Sequence, residues 1–196
     1  MYIDFHSHRA PTEPDIVAVV DGRDTWGIHP WRADEEFVVP DLTDKLAIGE
    51  CGLDAVRGAS KERQEAVFLQ QIALSEEARK PLVIHCVKAL DRLLRLRREL
   101  HPAMPWMLHG FRGKPQQLRS LLDAGFYVSF GFRCNEESLR RCPTEFLMLE
   151  TDADEEHSIS KIYNIAAVAQ GISMINLCDA MAKNYLAFFQ KEPLLT

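Results

Sequence analysis

Long apolar runs and a disulfide pattern are both missing from this sequence. No stretch approaches the roughly 18 to 20 uninterrupted apolar residues that a membrane-spanning helix needs, and no basic region with a cleavage site opens the chain. The five cysteines lack CxxC spacing, and their odd number argues against a complete disulfide framework. We therefore expect a soluble, unexported protein with no membrane contact, working in the reducing cytoplasm.

An excess of basic residues is also missing. The chain has 23 Lys and Arg against 29 Asp and Glu, a net charge of −6, so no global positive field attracts a polyanion. Motifs of other enzyme classes are absent too: there is no GxSxG elbow, no GxxxxGK[ST] loop and no GxGxxG after a strand. Nothing marks a linker, so residues 1–196 are expected to form one domain.

Short apolar runs recur along the chain and are typical of interior strands in a parallel sheet covered on both faces. The predicted strands are residues 2–5, 16–20, 25–28, 47–51, 82–86, 106–109, 126–130 and 146–150. The predicted helices are residues 61–79, 87–100, 115–124 and 136–141, with a helical region from about 160 to 189. From Glu50 onward, strands alternate with helices, which indicates helical crossovers between parallel strands.

The first part of the chain is too compressed for this pattern. Only residues 9–15 separate the first two predicted strands and about four residues separate the next two, whereas a parallel crossover usually needs about a dozen. The spacing predicts a hairpin of residues 16–20 and 25–28 around Gly22. A full eight-fold barrel takes about 250 residues, so we expect an α/β fold: a distorted, trimmed TIM-type (β/α) barrel, irregular near residues 9–30.

Six potential metal ligands lie at or near the ends of five of the apolar runs. Two histidines spaced two apart face the same side of an extended strand, and Asp4 shares that face. A carboxylate inside an apolar strand is costly unless it is paired or binds a cation, and polar residues at the carboxyl ends of parallel strands converge where the loops meet. The six residues are His6, His8, Glu50, His85, His109 and Asp152.

Nitrogen and oxygen donors without an ordered cysteine set suit Zn²⁺, Mn²⁺, Mg²⁺ or Fe, and two carboxylates allow a two-ion centre. Simpler interpretations remain open for single residues. His6 and His8 can be a surface pair, Glu50 can form a salt bridge with an arginine, and Asp152 can cap a helix. Asp54 is more typical of a turn cap than of a ligand.

The chain resembles the TatD-type metal-dependent deoxyribonucleases of the amidohydrolase-like barrel superfamily. The matching stretches run from one end of the chain to the other in the family's order: Asp4-Phe5-His6-Ser7-His8, Gly27-Ile28-His29-Pro30, Ala47-Ile48-Gly49-Glu50-Cys51-Gly52-Leu53-Asp54, the helix with Gln64, Phe68 and Gln71, Val83-Ile84-His85, His109-Gly110-Phe111 with Gly113, Glu150-Thr151-Asp152, and the tail 164–189.

This resemblance implies a barrel with two divalent ions, Mg²⁺, Mn²⁺ or Zn²⁺. His6, His8 and Asp152 would bind one ion and His85 and His109 the other, with Glu50 between them. Glu50 and Asp152 would be the catalytic residues that orient and deprotonate water. The family's activity is hydrolysis of DNA from 3′ ends.

His29, in the Gly-Ile-His-Pro turn, would contact substrate phosphate; its alternative is a turn histidine packed beside Pro30 and Trp31.

Two departures from the family pattern bear on the substrate. The helices usual between the first two strands and before the Gly-Ile-His-Pro stretch are missing, and the usual Ser-Pro after Asp152 is replaced by the acidic segment Ala153-Asp154-Glu155-Glu156. This segment is expected to repel a polyanion at low salt.

The leading hypothesis is a 3′ exodeoxyribonuclease. The alternatives are a metal-dependent amidohydrolase or esterase acting on a small phosphoester, ester or amide, and a catalytically silent binding module.

Overall fold

The computed structural model describes residues 1–193, most of which lie in alternating strands and helices. The strands are β1 Tyr2–Ser7, β2 Ile16–Val20, β3 Thr25–Trp26, β4 Ala47–Asp54, β5 Leu82–Val87, β6 Trp106–Leu108, β7 Phe126–Phe130 and β8 Leu147–Leu149. The helices are α1 Lys61–Ala78, α2 Leu90–Leu100, α3 Pro115–Asp123, α4 Glu136–Arg141, α5 Ile159–Gln170 and α6 Met174–Phe189. Each predicted element is present, with bounds that differ by a few residues.

The chain divides into two compact units. Unit one comprises Met1–Val20 and His109–Thr196, and unit two comprises Asp21–Leu108. The single domain predicted over residues 1–196 stays a prediction, and its last three residues lie outside the described part of the chain.

Strand pairing in unit one corrects the predicted hairpin. β2 pairs in parallel with β1, with Tyr2 opposite Ile16, and β7 pairs in parallel with β8. The return from β1 to β2 needs no helix, because residues 8–15 can span about 25 Å when extended and a five-residue strand is only about 17 Å long. The Tyr2 amide donates to the Asp15 carbonyl at 2.8 Å, where the return ends.

The other half of the predicted hairpin is wrong as well, since β3 pairs in parallel with β4. β3 also stops at Trp26 instead of reaching residue 28. The buried side chain of Gln71 in α1 accepts from the Ile28 amide at 2.6 Å and donates to the Ile28 carbonyl at 3.1 Å. Both backbone groups of Ile28 are therefore bound by a helix instead of a neighbouring strand.

Unit two is a parallel sheet in the order β3-β4-β5-β6. Its interior includes the fully buried Ile48, Leu82 and Ile84, and α1 turns Val67, Phe68 and Ile72 inward. β5 runs on to Val87 and α2 begins only at Leu90, later than predicted. Lys88 between them has a left-handed backbone (φ 50°), which interrupts both elements.

Unit one is built on buried aromatic rings, among them Phe5, Phe126, Phe130 and Phe188. The Asn184 side chain of α6 donates to the carbonyls of Thr144 and Leu147, both at 2.7 Å, and so fixes the start of β8. The predicted terminal helical region is two helices, because α5 ends at Gly171 in a left-handed conformation (φ 65°). Ser173 then caps α6.

No single helix in residues 1–193 has the length and apolar composition to cross a membrane. α5 and α6, bent by 106° at the break between them, meet that criterion only when they are taken together.

Candidate functional site

The first candidate metal cluster lies in unit one, at the ends of β1 and β8. Asp152 Oδ1 is 3.7 Å from His6 Nε2 and 3.3 Å from His8 Nε2. His6 is fully buried, whereas the side chain of His8 is 41% exposed and that of Asp152 31%. The cluster therefore has a closed side and an open side.

Backbone pairing brings these three side chains together. The Asp152 amide donates to the His6 carbonyl at 2.9 Å, and the His8 amide donates to the Asp152 carbonyl at 3.2 Å. His6 and His8 then point to the same side, as their spacing of two predicts. Ser7, near the start of the chain, and Asp152, 145 positions later, thus form a parallel β-bridge.

Asp4 stabilises the same contact between β1 and the segment that follows β8. Its carboxylate accepts from the Thr151 amide at 3.0 Å and from the Thr151 hydroxyl at 2.6 Å. Burial raises the pKa of Asp4 to about 7, against the opposing effect of these two hydrogen bonds. Asp4, which shares the face of the two histidines, is thus bound to the residue that precedes Asp152.

His109 also belongs to unit one, together with a carboxylate that was not predicted from the sequence. His109 Nδ1 is 3.5 Å from Glu150 Oε1, and the same oxygen accepts from the Gly110 amide. Glu150 is fully buried, and its Oε2 has no hydrogen-bond partner among residues 1–193. The available signal was an acid at the end of the apolar run 147–149, the same pattern that singled out Glu50.

The second candidate cluster lies in unit two around Glu50. Glu50 Oε1 is 3.1 Å from His29 Nε2 and 2.9 Å from His85 Nδ1. Glu50 was predicted to end a strand, but it lies in the middle of β4, where the register with β5 shifts between Ile48 and Cys51. A bulge of this kind re-aims a side chain beside a functional site.

Asp54 orients His85 from the other side of the imidazole. Its Oδ2 is 3.2 Å from His85 Nε2 and accepts from Trp31 Nε1 at 2.7 Å, while Oδ1 accepts from the amides of Val56 and Arg57. Burial alone would raise the pKa of Asp54, but the hydrogen bonds, led by that of Trp31, lower it below the usual value. Asp54 is the turn cap that was expected, and it also fixes a histidine ring.

The contacts of His29 agree with the packed turn that was predicted as one alternative, but they also include Glu50. Its Nδ1 accepts from the Trp31 amide at 3.2 Å, and its ring lies 4.5 Å from that of Trp31, as in a packed turn. Its Nε2 nevertheless faces Glu50, so the structure assigns it to the Glu50 cluster. A contact between His29 and substrate phosphate stays a prediction.

The donor sets in both units fit a bound cation. Two ligands on one tetrahedral ion at about 2.0 to 2.1 Å lie about 3.3 Å apart, close to the 2.9 to 3.7 Å between donor atoms here. Within single units, three groups have donor atoms that all lie within 4.8 Å of one another: His6, His8 and Asp152; His109, Glu150 and Asp152; and His29, Glu50 and His85. The predicted pairing of His85 with His109 on one ion, the position of Glu50 between two ions, and the meeting of all six ligands in one pocket stay predictions.

A thiol nucleophile does not compete with these clusters. Burial raises the pKa of Cys86 to about 12, so the thiol next to His85 is neutral at physiological pH. Parallel α/β architecture with histidine and carboxylate groups at strand ends is typical of metal-dependent hydrolases.

Comparison with known proteins places the chain in one such family. The family described as TatD related DNase matches residues 20–190, and the chain belongs to this family. The protein of Pantoea ananatis named 3′-5′ ssDNA/RNA exonuclease TatD is 37% identical over 147 residues, which cover 66% of this chain and 56% of that protein. Its namesake from Edwardsiella piscicida is 33% identical over 159 residues, covering 74% and 61%.

Solved structures agree on the fold. YJJV, a TatD homologue from Escherichia coli, has a TM-score of 0.75 at 18% identity, covering 92% of this chain and 79% of that one. A TatD-family hydrolase from Entamoeba histolytica has a TM-score of 0.68 at 20% identity, covering 76% and 64%. The predicted α/β, TIM-type fold is thus confirmed. The chain spans little more than half the length of the curated relatives it matches.

Proposed function

We propose that this protein is a divalent-metal-dependent nuclease that hydrolyses phosphodiester bonds at the 3′ ends of single-stranded DNA or RNA. The observation that carries the proposal is the short His6–His8–Asp152 cluster, with the Glu50 cluster as a second donor set. The family and the printed names of the Pantoea and Edwardsiella relatives support a nucleic-acid substrate.

In this proposal the protein holds two ions, Mg²⁺, Mn²⁺ or Zn²⁺. His6, His8 and Asp152 hold one in unit one, where His109 adds a donor, and Glu50 and His85 hold one in unit two. Bound ions supply Lewis acidity that activates water and offsets phosphoryl charge. Asp152 and Glu50 are the catalytic carboxylates that orient water and accept its proton, and His29 contacts a substrate phosphate. The five free cysteines support a cytoplasmic location.

Purified protein with each metal, on single-stranded DNA and RNA labelled at the 5′ end, tests the proposal. We expect stepwise shortening from the 3′ end, loss of activity with a chelator, and protection by a blocked 3′ end. If nucleic acids stay intact with every metal while a small ester or amide is hydrolysed, the nuclease proposal is wrong and the alternative amidohydrolase or esterase takes its place.

Asp152→Asn tests the catalytic role. Loss of an acid–base group costs about 10²- to 10⁴-fold in rate, and the far-ultraviolet circular dichroism should not change. Asp123→Asn, on the exposed end of α3, is the matched control and should keep full activity. Full activity in Asp152→Asn would contradict the assignment.

A further inference from the structure

A cavity of about 400 Å³ in unit one contains two arginines beside two candidate metal ligands. Arg112 and Arg133 line it together with Glu150 and Asp152. Both arginines are exposed, and neither guanidinium forms an ion pair or hydrogen bond with another of the described residues. Two guanidinium groups without carboxylate partners among the described residues are available to an anionic ligand.

The acidic segment 154–156 lines the same cavity, and two of its three acids contact basic side chains outside the segment. Asp154 Oδ2 is 2.9 Å from His157 Nδ1, and Asp154 also accepts from the Glu156 amide at 2.8 Å. Glu155 is 3.6 Å from Arg9 Nη1. Of the three acids, Glu156 alone has no ion pair within residues 1–193. The Arg9 guanidinium therefore offsets part of the negative charge of this segment.

The aromatic ring in this cavity is already covered. His157 stacks on Phe132 with ring centroids 3.4 Å apart and an interplanar angle of 12°. Lys161 Nζ lies 5.0 Å from the same ring. A nucleobase would have to displace His157 to stack there, so this cavity offers charged groups to a ligand rather than a free aromatic ring.

We propose that Arg112 and Arg133 form a subsite for a second phosphate of the substrate, adjacent to the phosphodiester that is cleaved. The subsite rests on the proposed function, because Asp152, which that function makes a metal ligand and a catalytic carboxylate, lines the same cavity. Guanidinium groups bind phosphate through charge-assisted, often bidentate hydrogen bonds. The preferred substrate then carries at least two consecutive phosphates, so that a 5′-phosphorylated dinucleotide is favoured over an unphosphorylated one.

Steady-state kinetics on the dinucleotides pTpT and TpT test this preference. For the unaltered protein we expect KM to be about tenfold lower for pTpT, the effect of one good charge-assisted contact. Arg112→Gln and Arg133→Gln should each remove most of that preference by raising KM for pTpT, with kcat unchanged within about twofold. Arg119→Gln, at an exposed position of α3 outside the cavity, is the control and should behave as the unaltered protein. Glu156→Gln should lower KM for pTpT, because it removes a negative charge from the cavity lining.

Salt dependence gives a readout that a purely structural role would not change. The slope of log KM against log salt should become shallower by about 0.7 in Arg112→Gln, the value for one single-strand phosphate contact. Equal KM values for the two dinucleotides, or variants that keep the preference, would overturn the subsite and leave the nuclease proposal standing.

Calorimetric binding of thymidine 3′,5′-bisphosphate separates the two proposals. It should weaken about tenfold or more in both cavity variants and not in Arg119→Gln. If neither dinucleotide is cleaved but this binding still depends on Arg112 and Arg133, the nuclease proposal fails and the phosphate site is supported. Binding that is equal in all four proteins would overturn the phosphate site.

Discussion

At the scale of single residues, the sequence singled out side chains that the structure then places in clusters with short distances between donor atoms. An acid or a histidine that interrupts an apolar run needs a compensating partner once it is buried, and that reasoning selected Glu50, His85, His109 and Asp152. Glu150 fits the same pattern, since it follows the apolar run 147–149. His29 joined Glu50 through a turn whose geometry depends on Gln71, and no local pattern encodes that contact.

Glu150 provides a prediction at this scale. Its carboxylate is fully buried with one oxygen lacking a partner among residues 1–193, so a nearby cation should stabilise it. Glu150→Gln keeps an acceptor for the Gly110 amide and removes the charge. In chelator the variant should unfold at the same or a higher temperature than the unaltered protein, since an uncompensated buried charge is costly.

With added Mn²⁺ the unaltered protein should gain thermal stability and Glu150→Gln should gain less. A tenfold loss of metal affinity removes about 1.4 kcal/mol of metal-dependent stability. Thermal unfolding with and without Mn²⁺ measures the difference, and Glu145→Gln, an exposed acid a few residues earlier, is the control. An undiminished Mn²⁺ shift in Glu150→Gln would count against a ligand role.

At the scale of secondary structure elements, position was more predictable than pairing. Apolar runs located the strands because burial on both faces leaves a local record in the sequence. The partner of a short strand is decided by distant contacts, and the parallel β1–β2 pair formed through an extended return that the usual crossover length excluded. The bulge at Glu50 is likewise set by the neighbouring strand, and the run 46–50 gives no sign of it.

Substitution of Gly52 tests whether the Glu50 cluster depends on the close approach of β4 to β5. A Cβ at Gly52, which has φ +133°, would lie 2.1 Å from the carbonyl oxygen of His85. Gly52→Ala should therefore cost about 3 kcal/mol or more in free energy of unfolding, through backbone strain and displacement of β5. Gly22→Ala is the control, because Gly22 also has a positive φ (+76°) but no atom within 4 Å of the position that its methyl group would take.

Gly22→Ala should lose only about 1 to 2 kcal/mol, the cost of a left-handed backbone alone. Urea unfolding monitored by tryptophan fluorescence compares the two variants. Equal losses would mean that β5 accommodates the extra methyl group, and the cluster would then not depend on this close approach.

At the scale of the whole molecule, the state of the thiols bears on the reducing compartment that the cysteine count predicts. All five cysteines are free, and Cys51 and Cys142 are buried. Burial raises the pKa of Cys142 to about 12 and that of Cys51 well above its ordinary value. These thiols are neutral near neutral pH, and the thiolate is the form that reacts.

Maleimide labelling followed by mass spectrometry tests this state of the thiols. The protein unfolded in denaturant without reductant should take up five labels, and the folded protein at pH 7 should leave Cys51 and Cys142 unlabelled. Fewer than five labels after unfolding would reveal a disulfide and remove the support for a reducing compartment. Rapid labelling of Cys142 in the folded protein would show that its surroundings open readily.

The reciprocal backbone hydrogen bonds between His6, His8 and Asp152 tie cation capture to biosynthesis. A nascent chain displays both histidines well before their carboxylate partner, which leaves the ribosome only after the intervening strands and helices have been made. The unit-one donor set therefore comes into existence late, and any metal loading at that position has to wait for Asp152.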